Sequence, residues 1–172
     1  MPNFVLCGFH VVGDAAEVER FKARMITERF SDTAGKPVPF LDFAAIIPPP
    51  PCFGDHTTER RADFGGSVPN EQDFESWAVD HWGTKWDAQQ LVINTDEPGD
   101  FGFQFDTAWD FPLPVFQALA DEFPTLVFSG SAIEDSEDFA YRGEFNGDDD
   151  WGPTDPSTYW TIDTSKKDGE DE

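Results

Sequence analysis

Residues 3–17 read NFVLCGFHVVGDAAE. Residues 3–12 are apolar and strand-like, and Gly13-Asp14 is a turn signal. Asp14 is placed to cap a helix, and Glu17, three residues on, completes a capping-box-like pair. A strand running straight into a capped helix is the opening of a βαβ unit, and the rest of the chain extends it.

The helix is expected over 15–30, with Val18, Phe21, Met25, Ile26 and Phe30 on its apolar face. Residues 31–37 read as loop. Residues 39–47 are strand-like and stop at the prolines 48–51. Residues 52–69 read as irregular loop, and Pro69-Asn70 opens a short helix through Phe74, Trp77, Ala78, His81 and Trp82. Residues 91–94 form a strand and 95–100 (TDEPGD) a turn. Residues 101–109 alternate, with Phe101, Phe103, Phe105 and Thr107 on one face. Pro112 or Pro114 opens a helix through Val115, Phe116, Leu119 and Ala120, ending near Phe123-Pro124. Residues 126–133 and 139–145 close the plan as two strands. The order fits an α+β fold of the ferredoxin-like split βαβ kind, an antiparallel sheet with helices on one face, plus a helical insert. The domain is expected over 1–147. Residues 148–172 form an acidic extension in which Trp151, Tyr159, Trp160 and Ile162 offer contacts to the domain and 165–172 are a solvated tail.

The chain has 172 residues, 38% hydrophobic and 15% aromatic, enough for one core. No run approaches the roughly 18 apolar residues of a membrane helix, and the first residues carry no basic segment or small-residue cleavage site. Cys7 and Cys52 form no disulfide framework, so a cytoplasmic location is expected. Charge is the strongest signal: 11 bases face 35 acids, a net of −24. Residues 1–70 hold nine acids and seven bases, whereas 134–172 hold fourteen acids and three bases. Such a surface opposes direct nucleic-acid binding, which needs cations to displace counterions. It opposes an anionic membrane equally.

Several strings together resemble the YubB-like family, uncharacterised proteins of plasmids and phages. These are Ile47-Pro48 with Pro50, Trp82-Gly83-Thr84-Lys85-Trp86-Asp87-Ala88, Phe105-Asp106-Thr107-Ala108-Trp109 leading to Pro112, Phe123-Pro124, and Gly143 with Phe145 and Gly147. The resemblance spans roughly 1–147. It implies a ferredoxin-like domain and a mobile-element context, and no catalytic residue. The acidic segment after Gly147 is particular to this chain.

Within these strings Trp82, Gly83, Thr84, Lys85, Trp86 and Trp109 read mainly as frame. Gly83 suits a helix C-terminus, the tryptophans clamp it to the sheet, and Lys85 is expected on helix-end carbonyls or on a nearby carboxylate such as Asp106. Cys7, His10, Cys52 and His56 are possible soft ligands, but Cys7 and His10 lie three apart on a strand and face opposite sides. The NGDDDWG run at 146–152 resembles a calcium loop, yet Trp151 stands where glycine is required and Ser157 where glutamate is. There is no G-x-S-x-G, H-E-x-x-H or P-loop, so no catalytic residue, cofactor or metal is assigned.

The expected role is that of a non-enzymatic mobile-element accessory protein whose acidic, DNA-mimic-like surface captures a basic partner, a DNA-binding protein or defence nuclease. The expected contacts are Asp135, Glu137, Asp138, Asp148, Asp149, Asp150 and Asp155, with Asp96, Glu97 and Asp100 on a turn that can share their face. Salt adaptation, plain solubility, and a hydrolase or metal-dependent enzyme are the alternatives.

Overall fold

The computed structural model describes residues 3–53 and 71–157. The side chain of Cys52, His56, the residues 54–70 with Pro69-Asn70, and Tyr159, Trp160 and Ile162 with the tail lie outside the described residues. Strand β1 (Phe4–Val12) leads into helix α1 (Ala15–Met25), whose N-cap Asp14 accepts the Ala16 amide at 3.1 Å. Then come β2 (Ile26–Ser31), β3 (Lys36–Leu41), α2 (Glu71–Trp82), β4 (Gln89–Glu97) and β5 (Asp100–Ala108). Helix α3 (Leu113–Glu122), β6 (Val127–Glu134), β7 (Ala140–Phe145) and β8 (Gly152–Thr154) complete the order.

The main sheet runs β4-β5-β1-β6-β7-β8, and every neighbouring pair is antiparallel. The chain is thus an α+β protein. Val5, Cys7, Phe9 and Val11 of β1 are buried on one face, in register with Phe105, Phe103 and Phe101 of β5 and with Phe128 and Ala132 of β6. Helix α1 lays Val18, Phe21 and Met25 on this face, and α3 lays Val115, Phe116 and Leu119 there. The Phe9 and Phe116 rings stack at 4.3 Å, and Phe21 meets Phe128 edge-on at 5.7 Å. Helix α2 joins the same core through Trp82, whose ring meets Phe43 at 5.7 Å, with Phe43 in turn edge-on to Phe105. Fully burying one such aromatic side chain contributes about 2–3 kcal/mol.

Three sequence expectations need correction. The first helix stops at Met25, not Phe30. Ile26-Thr27-Glu28-Arg29-Phe30 pairs instead with β3 in a two-stranded hairpin, where its β-branched residues and alternation are better satisfied, and Phe30 is 59% exposed. The strand expected over 39–47 lies at Lys36–Leu41 and gives way to a 3-10 turn at Phe43–Ala45 capped by Asp42. The turn expected over 95–100 shrinks to Pro98-Gly99, because β4 continues through Asp96 and Glu97. That strand breaks register twice, between Gln89 and Val92 and between Ile93 and Thr95, and β3 packs near it without pairing.

Candidate functional site

The expected acidic contacts fall into two groups at opposite ends of the sheet. Glu134 pairs with Val5 and Asp100 with Val12, so the ends lie about 23 Å apart at roughly 3.3 Å per residue. Asp135, Glu137 and Asp138 occupy the β6–β7 turn at one end. Asp155 joins them, because it follows β8, whose Thr154 pairs with Ala140. Asp96, Glu97 and Asp100 sit at the other end with Asp148, Asp149 and Asp150, which follow Phe145, the partner of Phe128.

Each group has a local cause. Glu134 is fully buried, and its Oε2 accepts the amides of Ser136 at 2.8 Å and Asp138 at 3.1 Å. This inward carboxylate folds the turn so that Asp135, Glu137 and Asp138 project into solvent. At the far end Asp149 accepts the Asn146 amide at 2.7 Å, and Asp150 accepts the Glu144 amide at 2.9 Å. Asn146 has φ +67, and its amide group donates to the carbonyls of Ala120 and Phe123, tying the loop to the end of α3. Asp149 and Asp150 therefore brace a turn. Asp96 and Asp100 are partnered as well: Lys22 lies 2.6 Å from Asp96 and His10 lies 2.8 Å from Asp100. Of the expected contacts, those without an ion pair among the described residues are thus Asp135, Glu137, Asp138, Asp155, Glu97 and the Asp148–150 run.

The HWGTKW string builds the end that carries Asp135. Trp82 is fully buried and donates its indole N–H to the Ile47 carbonyl at 2.9 Å. Gly83 has φ +81 and returns its amide to Ala78 and Val79, ending α2; a side chain there would meet Pro114 at 2.9 Å. Thr84 is buried and donates to the Trp86 carbonyl at 2.6 Å. Lys85 meets a nearby carboxylate, Glu75 and not Asp106. Its ammonium lies 3.5 Å from Glu75 of α2 and about 5 Å from the rings of both Trp86 (5.2 Å) and Trp109 (4.8 Å). Two aromatic faces and a carboxylate hold the cation more fully than helix-end carbonyls would.

Asp87, next in the same string, was legible only as a motif residue. It is 1% exposed, and its Oδ1 accepts the Phe43 amide at 3.1 Å. Its Oδ2 lies 3.7 Å from Arg29, whose Nη2 also reaches Asp42 at 3.3 Å. One guanidinium thus serves two carboxylates. Asp87 Oδ2, Arg29 Nη1 and Thr27 Oγ1 are buried without a hydrogen-bond partner. Burial, with Asp42 nearby, lifts the Asp87 carboxyl to about 7 against the pull of Arg29.

Cys7 faces the core and His10 the opposite side, as their spacing requires. Burial pushes the Cys7 thiol far above its ordinary value, which leaves it unreactive as a thiolate. Among the described residues no cluster of three or more His, Cys, Asp or Glu side chains suits a metal, and no helix is long and apolar enough to cross a membrane.

One groove of about 410 Å³ opens between α3 and the β7–β8 edge. Phe111, Tyr141, Phe145 and Trp151 form its aromatic side, and Asp110, Glu144 and Asp149 its polar side. Only Asp149 of these was singled out from sequence as a contact, because Asp110, Glu144 and Tyr141 belong to separate elements with no shared spacing. Compared with known proteins, the chain matches no family model, no curated protein and no solved structure.

Proposed function

We propose that this chain is a binding module that captures a basic protein through exposed carboxylates at the two ends of its sheet. One observation carries the reading. Residues 86–157 hold seventeen acids and a single base, Arg142, and two groups of these acids, 135–138 and 148–150, project from turns shaped by Glu134 and by Asn146. A field of one sign over a rigid frame accelerates encounter with a cationic partner and is sensitive to salt. The partner class is a DNA-binding protein or nuclease of basic surface, and the role is that of a mobile-element accessory protein, which the family resemblance suggests. DNA mimicry is the narrower form of this reading. Two carboxylate clusters about 23 Å apart support a contact made at two points more than a continuous rail of phosphate-like charge, since duplex DNA carries a charge every ~1.7 Å of its axis.

The fold reading that goes with it is ferredoxin-like. The order β6-β1-β5-β4, with α1 following β1 and α3 following β5 on one face, supports a split βαβ core. On this reading the β2–β3 hairpin and α2 are an insertion, and β7 and β8 extend one edge.

The test is capture from bacterial lysate at low salt. One bait is the native chain, and the other carries Asp→Asn or Glu→Gln at 135, 137, 138, 148 and 155. DNA-binding proteins held by the native bait, released by duplex DNA and absent from the neutral bait are the expected result. Equal capture by both baits removes the proposal. A neutral bait that folds only in low salt, where the native chain needs high salt, favours salt adaptation.

A further inference from the structure

The groove beside α3 combines features that belong to a cation site. Its floor is aromatic: Trp151 packs at a tilt on Phe111 at 4.4 Å and stacks on Phe145 at 5.3 Å, with Tyr141 at 6.2 Å. Phe111 and Phe145 are buried, and Trp151 is half-buried. Gly143 makes this packing possible. Its φ is +137, and any side chain there would sit 2.6 Å from the Trp151 backbone, so glycine lets the 150–152 segment cross β7 closely.

Three carboxylates stand over this floor, and no lysine or arginine lines it. Each is fixed by one oxygen. Asp110 Oδ1 accepts the Phe111 amide at 2.7 Å and the Tyr141 hydroxyl at 3.3 Å. Glu144 Oε1 accepts the Asp148 amide at 3.1 Å, and Asp149 Oδ1 accepts the Asn146 amide at 2.7 Å. The second oxygen of each accepts no hydrogen bond among the described residues. The carboxylates are therefore oriented in advance and still have capacity to accept, which lowers the ordering cost of binding. Among the described residues no three carboxylates converge as a metal site would require, and the rings supply no ligand atoms. A planar guanidinium satisfies both halves of the groove. It packs on the ring surface that Trp151 and Tyr141 leave exposed and donates in a fork to carboxylates.

We infer that this groove is the socket for an arginine side chain of the basic partner. The inference deepens the reading of the chain as a binder of a basic protein and rests on it. At about 410 Å³ the groove falls within the roughly 300–1,000 Å³ range of ligand pockets.

The test uses a short fluorescein-labelled peptide carrying three arginines, with anisotropy read at low salt. Three double variants remove equal charge: Asp110→Asn with Glu144→Gln in the groove, Asp135→Asn with Asp138→Asn at the sheet end, and Asp32→Asn with Asp80→Asn elsewhere. Gln117→Arg, at an exposed position on the groove wall, supplies a competing cation without disturbing a buried contact. The expected result is a loss of about tenfold or more for the groove double and for Gln117→Arg, against about threefold or less for the Asp32/Asp80 pair. A lysine version of the peptide binds more weakly than the arginine version. Equal losses in all three doubles mean that only the net field acts, and the socket is overturned. A loss confined to Asp135/Asp138 overturns the socket and leaves capture of a basic partner standing. No binding of the peptide to the native chain also overturns the socket, and the lysate capture then decides the broader reading independently.

Discussion

At the scale of single residues, Asp87 is the most consequential group. Its carboxyl holds a proton to higher pH in the folded chain than in the unfolded one, because burial disfavours the anion. The folded state therefore binds more protons between about pH 4 and about pH 7, and this group's contribution to stability falls as pH rises across that window. A rise from 3.8 to about 7 corresponds to roughly 4 kcal/mol. Urea unfolding at pH 5 and pH 8 should show the native chain weakening with pH, and Asp87→Asn should flatten that slope while keeping the Phe43 contact. An unchanged slope in the variant would remove Asp87 as the cause. Lys85→Ala should lower stability by about 1–2 kcal/mol, through loss of two ring contacts and the Glu75 pair. The same melt, followed with Arg in place of Lys85, should recover most of the loss.

At the scale of elements, the sequence was most informative where period and punctuation agree. β1 alternates, Asp14 caps, and β5 places Phe101, Phe103 and Phe105 on one face, so these were readable directly. The end of α1 was not. Met25, Ile26 and Phe30 continue a helical spacing, and only tertiary pairing with 36–41 turns Ile26–Ser31 into a strand. The sites divide in the same way. The carboxylates of one turn, 135–138, are contiguous and legible. The buried Glu134 that shapes that turn, and the pairing of Asp87 with Arg29, depend on contacts across long stretches of chain and carry no local signature. The join between α3 and the 146–150 loop offers a direct check. Asn146→Ala removes two hydrogen bonds to α3 carbonyls and places a side chain less suited to φ +67. It should cost about 2 kcal/mol, and protection of the last turn of α3 in hydrogen exchange should fall with it. Stability lost without any change at 119–123 would show that the loop, not the helix end, bears the cost.

At the scale of the whole molecule, −24 charges on 172 residues press the folded chain apart. Bases that relieve this are concentrated in α1, where Arg20, Lys22 and Arg24 reach across to Glu122 and Asp96. Among the described residues the acids of 134–157 form no ion pair. Screening should therefore stabilise the protein. Raising ionic strength from about 0.01 M to about 1 M shortens the Debye length from ~30 Å to ~3 Å, and the melting temperature should rise by at least roughly 3 °C, near 1 kcal/mol for a chain of this length. A temperature that does not move would mean that the acids lie too far apart to repel.

The two register breaks of β4 bear on how such a sheet avoids its own kind. An open antiparallel sheet offers a row of unpaired amides and carbonyls at each margin, and a second molecule can extend it indefinitely. Here the breaks twist one margin out of line, and Glu97 finishes it with a charge that no base offsets among the described residues. The opposite margin is a strand of three residues with Pro153 at its centre, which cannot donate. Both margins thus carry features that disfavour templated stacking, and a partner meets side chains there rather than a long free strand.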